Sequence, residues 1–389
     1  MSAIKINEAV FWVGAMHWDR RLFDELIPLP DGTSYNSYVI KGSEKTALID
    51  TVDPDCEHQL FKNLQQLNIK KIDYVISNHS EQDHSGIIPR VLSEFPQAQL
   101  VTNSKAKTIL SEHLEIPENK FKIVENQDVL SLGDRKLKFV MTPWVHWPET
   151  MTTYLEEDGI AFSCDFFGSH LATSQLFTDR DPKVLRDAKR YYAEIMMPFR
   201  NQITRNIAEI KSLNPSIIAP SHGPVYRDPE FIISAYEQWS SDKVLPQVVI
   251  PYVSMHGSTA RIVDYLVDKF MEIQIEVFPF NITVSDIGEI AMSLVDASTV
   301  ILASPTVLTV AHPSTFYVAY LLGALRPKTK YIGLVGSYGW GGRMAEVIKP
   351  LLANLNAEFL NPILIKGYPR QADYDNLDKL VEMVVAKNS

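Results

Sequence analysis

The chain has 389 residues, of which 46% are hydrophobic and 22% are charged, and its formal net charge is −10. These values are typical of a globular protein of two domains, and an acidic chain without a Lys/Arg-rich run is a poor binder of nucleic acid. No apolar run reaches the roughly 18 residues of a membrane span, and the N-terminus lacks the pattern of a signal peptide. The two cysteines, Cys56 and Cys164, are too few for a disulfide framework. We therefore expect a cytoplasmic protein that binds neither membrane nor nucleic acid.

The first part of the chain begins with predicted strands. Short apolar or alternating runs predict strands at Val10 to Val13, Tyr35 to Lys41 and Thr46 to Thr51. An amphipathic helix around Leu60 to Leu67 follows, and then a strand that reads as buried, Ile72 to Ser77. The pattern places the end of that strand at one rim of a sheet.

A dense group of ionisable side chains follows Ile72 to Ser77. These are His79, Glu81, Asp83 and His84, within the sequence NHSEQDHSG. Carboxylates packed together repel one another and resist burial, whereas a divalent cation makes the same arrangement favourable. The group therefore favours a metal site, and the alternative is a solvated acidic loop with two incidental histidines.

Three later strands each end in a single metal-binding side chain. The pairs are Leu137 to Thr142 with His146, Ile160 to Ser163 with Asp165, and Ser216 to Pro220 with His222. One such histidine is more often structural, but the order His, Asp, His after the HxExDH cluster is typical of the metallo-β-lactamase type of αββα sandwich, which holds two metals. Glu81 stands where zinc hydrolases of that fold usually have a histidine, and the added carboxylate suits iron. We expect Asp165 to bridge the two metals.

Asp50 also ends a strand, in the sequence LIDT. Its position allows two interpretations. The carboxylate could accept a hydrogen bond from a metal-binding histidine, or it could be a solvated turn residue.

From Val244 onward the pattern changes to five units of a strand followed by a helix. The predicted strands are Val248 to Val253, Ile275 to Phe280, Val300 to Ser304, Tyr331 to Val335 and Phe359 to Ile365, and the helices end near Met271, Asp296, Leu325, Asn354 and Ala386. Continuous hydrophobic strands indicate a parallel sheet covered on both faces. We therefore predict a two-domain α/β protein, with a sandwich over residues 1–245 and a doubly wound, five-stranded, flavodoxin-like sheet over residues 246–389.

Three turns at the strand ends of this second domain predict a flavin site. The residues are Ser254, Met255, His256, Gly257, Ser258 and Thr259 in the first turn, Ser304, Pro305, Thr306 and Val307 in the second, and Ser337, Tyr338, Gly339, Trp340, Gly341 and Gly342 in the third. Hydroxyls and helix amides in the first turn suit one phosphate, while the patterns of a Walker loop and of a dinucleotide fold are absent from the sequence. FMN fits, with Tyr338 and Trp340 available to stack on its ring. The alternatives are a simple helix cap in the first turn and loop packing for the aromatic residues.

The whole chain, in order, resembles the flavodiiron proteins. Besides HxExDH, the resemblance rests on HWPETM at residues 146–151, YYA at 191–193, PSHG at 220–223 and YGW at 338–340. It implies reduction of dioxygen to water, of nitric oxide to nitrous oxide, or both, with electrons from rubredoxin or another soluble reductant. It also implies a head-to-tail homodimer, or a tetramer built from it, because a short linker would hinder one chain from bringing its own flavin to its own irons.

The resemblance also implies a role for individual residues. One iron would be held by His79, Glu81 and His146, the other by Asp83 and His222, with Asp165 bridging and His84 a ligand in some members. Tyr192 would assist the substrate by hydrogen bonding, and Trp147 would be a second catalytic residue, on the His146 side of the site that the flavin of the partner chain approaches. Many members have a histidine in the loop that corresponds to Leu22 to Glu25, where this chain has Asp24 and Glu25. The preference between the two gases therefore stays open.

Two other functions compete with this interpretation. A zinc hydrolase of the β-lactamase fold with an appended flavodoxin is disfavoured by Glu81. An electron carrier whose first domain is a relic would have lost ligands, and all six expected ligands are present.

Overall fold

The structure is a computed structural model and describes residues 2–388. By the density of its internal contacts the chain divides into two compact units, residues 2–192 with 199–240, and residues 193–198 with 241–388. The domain limits at residues 245 and 246 stay a prediction. No helix of the described chain is long and apolar enough to cross a membrane.

The first unit contains eighteen strands among its described residues. They are β1 Ile4–Lys5, β2 Val10–Trp12, β3 Ala15–His17, β4 Leu22–Phe23, β5 Ile27–Pro28, β6 Thr33–Tyr35, β7 Tyr38–Lys41, β8 Thr46–Ile49, β9 Tyr74–Ile76, β10 Gln99–Thr102, β11 Phe121–Ile123, β12 Val129–Ser131, β13 Lys136–Met141, β14 Met151–Leu155, β15 Ile160–Cys164, β16 Phe177–Thr178, β17 Ile217–Pro220 and β18 Val225–Tyr226.

The α-helices of this unit are α1 Glu57–Gln66, α2 Gln82–Ser85, α3 Ile88–Glu94, α4 Ser104–Leu114, α5 Pro182–Tyr191, α6 Arg200–Ser212 and α7 Pro229–Ser240. Short 3-10 helices span Pro54–Cys56 and Glu118–Lys120. A π-helical turn, Tyr192–Met196, and a 3-10 helix, Met197–Phe199, form the segment between α5 and α6, most of which is grouped with the second unit.

Two seven-stranded sheets form the sandwich of the first unit. Their orders are β1-β2-β7-β8-β9-β10-β11 and β12-β13-β14-β15-β17-β18-β16. Apolar residues from both sheets, including Trp12, Ile76 and Phe162, form one core cluster. The helices α1, α3 and α4 cover the other face of the first sheet, with Leu60 and Leu110 buried in a second cluster. This is the predicted αββα architecture.

Parallel pairing brings the candidate ligands to one rim. The strand β9 pairs in parallel with β8 and β10, and β15 pairs in parallel with β17. Parallel neighbours end at the same edge of a sheet. The segments that follow β9, β15 and β17 contain the HxExDH cluster, Asp165 and His222.

The second unit contains a parallel sheet with helices on both faces. Its strands are β19 Leu245–Tyr252, β20 Glu276–Asn281, β21 Ala297–Val307, β22 Val310–Ala311, β23 Tyr331–Tyr338, β24 Glu358–Phe359 and β25 Ile363–Lys366, and its helices are α8 Ser258–Glu272, α9 Ile287–Leu294, α10 Pro313–Leu325, α11 Met344–Ile348, a 3-10 helix Lys349–Leu352 and α12 Gln371–Asn388. The order is β20-β19-β21-β23, with β24 and β25 both parallel to β23, while β22 forms a short antiparallel hairpin with β21. Two core clusters lie on opposite faces of the sheet.

The predicted two-domain fold with a parallel second sheet is confirmed, and two elements differ locally from prediction. The single strand expected at Tyr35 to Lys41 is divided between β6 and β7, because Asn36 turns inward to bond Pro220 O and Gly223 O. The helix expected to run to Asn354 ends as an α-helix at Ile348. Pro350 lacks the N–H that would continue it, so the chain continues as a 3-10 turn.

Candidate functional site

Seven side chains converge at the ligand rim of the first unit. They form two groups, and within each group the potential ligand atoms lie within 4.8 Å of one another. The first group contains His79, Glu81, His146 and Asp165, and the second contains Asp83, His84 and His222. All the residues predicted as metal ligands are therefore brought together in one cluster. We refer to it below as the rim cluster.

Asp165 joins the two groups through its two carboxylate oxygens. Its Oδ2 lies 3.1 Å from His146 Nε2 and 3.5 Å from His79 Nε2. Its Oδ1 lies 2.8 Å from His84 Nε2 and 3.5 Å from His222 Nε2. One carboxylate oxygen thus faces each group, which is the arrangement of a bridging ligand.

The two terminal carboxylates each serve one group. Glu81 Oε2 lies 3.1 Å from the Nε2 atoms of both His79 and His146. Asp83 Oδ2 lies 3.2 Å from the Nε2 atoms of His84 and His222. The ring of His84 therefore points into the rim cluster and not away from it.

Outer hydrogen bonds orient two of the histidines. His79 Nδ1 lies 2.8 Å from Glu149 Oε1, which also accepts from the Ser80 amide at 3.0 Å. His222 Nδ1 donates to Ser34 O at 2.7 Å. An ionised carboxylate and a carbonyl oxygen only accept, so each ring carries a proton on Nδ1 and turns Nε2, the atom that a cation would bind, toward the cluster.

Asp50 does not bond a histidine directly. Its oxygens accept from the Asn78 amide at 2.8 Å and from Asn78 Nδ2 at 2.9 Å. The expected role as an acceptor for a metal-binding histidine belongs instead to Glu149, 70 residues away from His79 in sequence. Asp50 fixes the backbone that presents His79.

The glycine after His222 is required by the fold of that turn. Gly223 has φ +77°, and a Cβ at this position would lie 2.0 Å from Ser169 Oγ. Its amide donates to Ser34 Oγ at 2.7 Å, which closes the turn beside the His222 bond to Ser34 O. A larger residue would displace His222 from the rim cluster.

The charges in the rim cluster stabilise one another. Burial alone would lower the pKa of His146, but hydrogen bonds to Asp165 and Glu81 outweigh it and raise that pKa to about 9. Burial likewise opposes charge on His84, and the carboxylates of Asp83 and Asp165 raise its pKa to about 9. The pKa of Asp165 is held well below its ordinary value, because the surrounding histidines outweigh its burial. Protons and a cation therefore compete for the same atoms.

Several polar atoms of the rim cluster fit a cation better than they fit one another. Among the described residues, both Asp83 oxygens, Asp165 Oδ1 and both His84 ring nitrogens are buried without a hydrogen bond of acceptable geometry. Buried polar atoms are almost always paired, so this group of unpaired atoms within one cluster indicates a missing partner. Imidazole and carboxylate donors suit non-heme iron.

Aromatic side chains pack around the histidines of the rim cluster. Trp147 packs edge-on against His79, with ring centroids 5.1 Å apart, as its predicted placement requires. The ring of Tyr191 lies 5.8 Å from that of His222. The predicted Tyr192 instead packs against Tyr236 and Trp239, at 5.3 and 5.5 Å. Tyr191, the neighbour of Tyr192 in the sequence, is thus in ring contact with a predicted ligand, and the hydrogen-bonding role of Tyr192 stays a prediction.

Asp24 lies at the edge of the rim cluster. Its partial burial raises its pKa to about 6, and the negative charges of Glu81 and Asp83 act in the same direction. Asp24 and Glu25 both have positive φ, 49° and 52°, in the tight hairpin between β4 and β5. This turn, and not a regular element, places a carboxyl group where many flavodiiron proteins are expected to have a histidine.

The second unit has a cavity of about 210 Å³ at the ends of its parallel strands. It is lined by Met255, His256, Ser258, Thr259, Pro305, Thr306, Ser337, Tyr338, Gly339 and Gly367. Nine of these ten residues belong to the three turns predicted to bind a flavin. Gly367 was not predicted, because it follows a fifth strand whose end had no recognisable ligand pattern.

The other predicted residues of these turns do not line this cavity. They are Ser254, Gly257, Ser304, Val307, Trp340, Gly341 and Gly342. The Ser304 hydroxyl accepts from the His312 amide and from Thr315, both at 3.0 Å, so it joins β21 to α10. Ser254 Oγ accepts from the Ala260 amide at 3.1 Å and closes the first turn. Trp340 is 74% exposed, so its ring is available to a partner.

Known proteins resemble this chain over its whole length. A family model described as "ODP family beta lactamase" matches residues 33–223. A nitric oxide reductase from Moorella thermoacetica is 35% identical over 395 residues, covering 99% of this chain and 98% of that protein. Two solved structures cover 100% of this chain: rubredoxin oxygen:oxidoreductase from Desulfovibrio gigas, with TM-score 0.96, 29% identity and 98% of that chain covered, and the flavodiiron protein from Giardia intestinalis, with TM-score 0.92, 27% identity and 99% covered. The chain therefore belongs to the flavodiiron protein family of oxidoreductases.

Proposed function

We propose that this protein is a cytoplasmic oxidoreductase that uses FMN and two iron ions to reduce dioxygen to water, nitric oxide to nitrous oxide, or both. The observation that supports it best is Asp165, whose two oxygens face two separate groups of imidazole and carboxylate donors. A reductant such as rubredoxin would supply the electrons. The two cysteines are free and buried, which agrees with a reducing compartment.

The rim cluster would hold the two irons. His79, Glu81 and His146 would bind one, Asp83, His84 and His222 the other, and Asp165 would bridge them. When bound, the metals would supply the sites for the gas and part of the electrons. Two of the histidines need no rearrangement to serve, because Glu149 and Ser34 O already direct the Nε2 atoms of His79 and His222 to the cluster.

The cavity of the second unit would hold FMN. The first turn contains Gly257, which has φ +86° and precedes helix α8 without a side-chain cap. Its amides and the Ser258 and Thr259 hydroxyls are suited to a terminal phosphate. Tyr338 and the exposed Trp340 would lie beside the flavin ring.

Reduction of either gas requires the chain to deliver both electrons and protons to the metal site. Reduction of one dioxygen consumes four electrons and four protons, and reduction of two nitric oxide molecules to nitrous oxide and water consumes two of each. A largely buried site with a carboxyl group, that of Asp24, at its edge suits both reactions. Asp24 at the edge of the rim cluster is the residue through which we expect this chain to differ from relatives with a histidine there.

The test is to measure consumption of both gases by the same reduced, full-length preparation, together with its iron and flavin content. We expect about two irons and one FMN per chain and consumption of at least one gas. FAD in place of FMN, or zinc with hydrolysis of esters or thioesters and no gas consumption, would contradict the proposal. The ratio of the two rates decides the preferred substrate.

A further inference from the structure

Tyr368 belongs to the turn that follows β25 and contacts the first flavin turn. Its hydroxyl donates to His256 O at 2.7 Å. A Cβ built on Gly257 would lie 3.7 Å from the same hydroxyl, in ordinary van der Waals contact. The tyrosine therefore touches the backbone of the segment Ser254–Thr259 at its centre, which we call the phosphate turn.

Arg261 holds the tyrosine ring from the other side. Its guanidinium carbon lies 4.4 Å from the Tyr368 ring centroid, a cation–π distance. The Arg261 amide is bonded to Gly257 O at 3.1 Å, in the first turn of helix α8. Tyr368 is thus fixed between His256 in the phosphate turn and a side chain of the helix that the turn begins.

The phosphate turn has few other restraints on this side. Ser254 Oγ accepts from the Ala260 amide at 3.1 Å, and Thr259 Oγ1 lies 3.0 Å from Ser337 Oγ. The first bond ties the start of the turn to helix α8, and the second ties its end to the turn of Ser337, while Met255 and His256 at its middle are exposed. The bond from Tyr368 restrains the carbonyl of His256.

We infer that Tyr368 is a positioning residue for the flavin phosphate, which it serves by holding the phosphate turn in the shape that presents its amides. This inference rests on the proposed binding of FMN. A turn already ordered before the ligand arrives loses less conformational entropy on binding. The restraint acts on the phosphate turn and not on the turn of Tyr338 and Trp340. It should therefore strengthen binding of the FMN phosphate and leave binding of the flavin ring unchanged.

Packing of the second unit does not require Tyr368. The side chain is 50% exposed and is not a member of either core cluster of this unit. Removing the hydroxyl should therefore leave folding unchanged. Its effect on ligand affinity can be measured without interference from stability.

The experiment compares FMN and riboflavin, which lacks the phosphate, in binding to full-length protein freed of its flavin. We expect Tyr368→Phe to weaken FMN binding about threefold to tenfold, the effect of one hydrogen bond, and to leave riboflavin binding unchanged. Tyr368→Leu, which also removes the ring that Arg261 covers, should weaken FMN further. Tyr320→Phe, at an exposed tyrosine of α10, is the matched control.

Each outcome separates the inference from the proposed function. Equal FMN affinity in wild type and Tyr368→Phe would overturn the inference, and so would an equal loss of FMN and riboflavin. A wild-type protein that binds neither flavin would overturn the proposed function itself. Unchanged thermal unfolding of the flavin-free variants is expected in every case where the inference holds.

Discussion

Asp165 and Glu149 are both buried carboxylates, but they face the rim cluster differently. Asp165 places one oxygen toward each ligand group, whereas Glu149 contacts only the outer nitrogen of His79. The first residue would be shared by two metals, and the second would act through a ligand. Substitution of Asp165 should therefore abolish metal binding, whereas substitution of Glu149 should only weaken it.

We expect Asp165→Ala to lose metal and gas reduction together, because each ligand group loses an anionic donor and the connection between the groups. Flavin should remain bound, since the flavin turns lie in the other unit. Metal analysis and visible absorption of the purified variant measure the two effects. Asp179→Ala, at an exposed aspartate, is the control. Two irons and normal turnover in Asp165→Ala would refute the bridging role.

Glu149→Gln should preserve the fold and weaken metal binding about 10-fold to 100-fold. The amide oxygen can still accept from His79 Nδ1 and the Ser80 amide, but the negative charge that favours the proton on Nδ1 is gone. Competition with a chelator of known affinity measures the change in the metal dissociation constant. Glu125→Gln, an exposed change beyond the ligand contacts, should have no effect. An unchanged constant for Glu149→Gln would reduce Glu149 to a packing residue.

At the scale of single elements, helix α5 contains a buried charge that its neighbours do not fully compensate. Asp187 is 3% exposed, and its Oδ2 is among the described buried atoms without a hydrogen bond. Burial raises its pKa to about 6, and the nearby charge of Asp31 adds to the effect. Ionisation of Asp187 above that pH therefore opposes folding.

The pH dependence of this effect follows from its sign. An ordinary aspartate has a pKa of about 4 in the unfolded chain, so the folded state binds more protons between about pH 4 and pH 6. The folded state loses stability as pH rises through that window. We expect Asp187→Asn to stabilise the first unit by about 1 kcal/mol at pH 8 and by nothing near pH 4. Urea unfolding at both pH values checks this, and an equal effect at both would contradict it.

The turns that follow the strands of the second unit contain side chains with two different roles. A turn can supply a side chain to a site or hold the scaffold together, and the sequence does not distinguish the two. Thr306 lines the flavin cavity, while Ser304, two residues earlier, is used up in bonds to α10. Serine offers the same hydroxyl in both roles, so the neighbours decide.

At the scale of the whole molecule, each chain contains one candidate metal site and one candidate flavin site, in separate compact units. Four electrons per dioxygen exceed what one flavin can store. The two centres must therefore exchange electrons rapidly. We propose that they do so across a head-to-tail homodimer, in which the flavin of one protomer serves the metals of its partner.

Mixing two inactive variants tests this arrangement. One variant, His79→Ala, lacks a metal ligand, and the other has Ser254 and Thr259 changed to remove the phosphate turn. In a head-to-tail dimer each mixed pair regains one intact flavin and metal combination, so random mixing should restore about a quarter of wild-type activity. Mixed dimers confirmed by mass but inactive, or a fully active monomer on a sizing column, would rule out the arrangement.

The sequence alone predicted the two-domain fold and the ligand cluster, because both depend on local patterns. Continuous apolar strands indicate a parallel sheet, and a side chain directly after such a strand lies at its rim. Asp165 and His222 lie within two residues of the ends of the parallel strands β15 and β17, whereas His146 follows the antiparallel strand β13 by five residues. All seven predicted ligands nevertheless converge. The turns around the flavin cavity were predicted for the same reason.

Only the tertiary structure decided which residues surround those ligands. The contact between Glu149 and His79 joins residues 70 apart, and the one between Tyr368 and His256 joins residues 112 apart. Whether Tyr191 or Tyr192 contacts the ring of His222 depends on how the end of α5 is rotated against the rim, because consecutive helical residues point about 100° apart. Such contacts leave no periodic trace in the sequence, because periodicity records which face of an element is buried and not which distant side chain covers it.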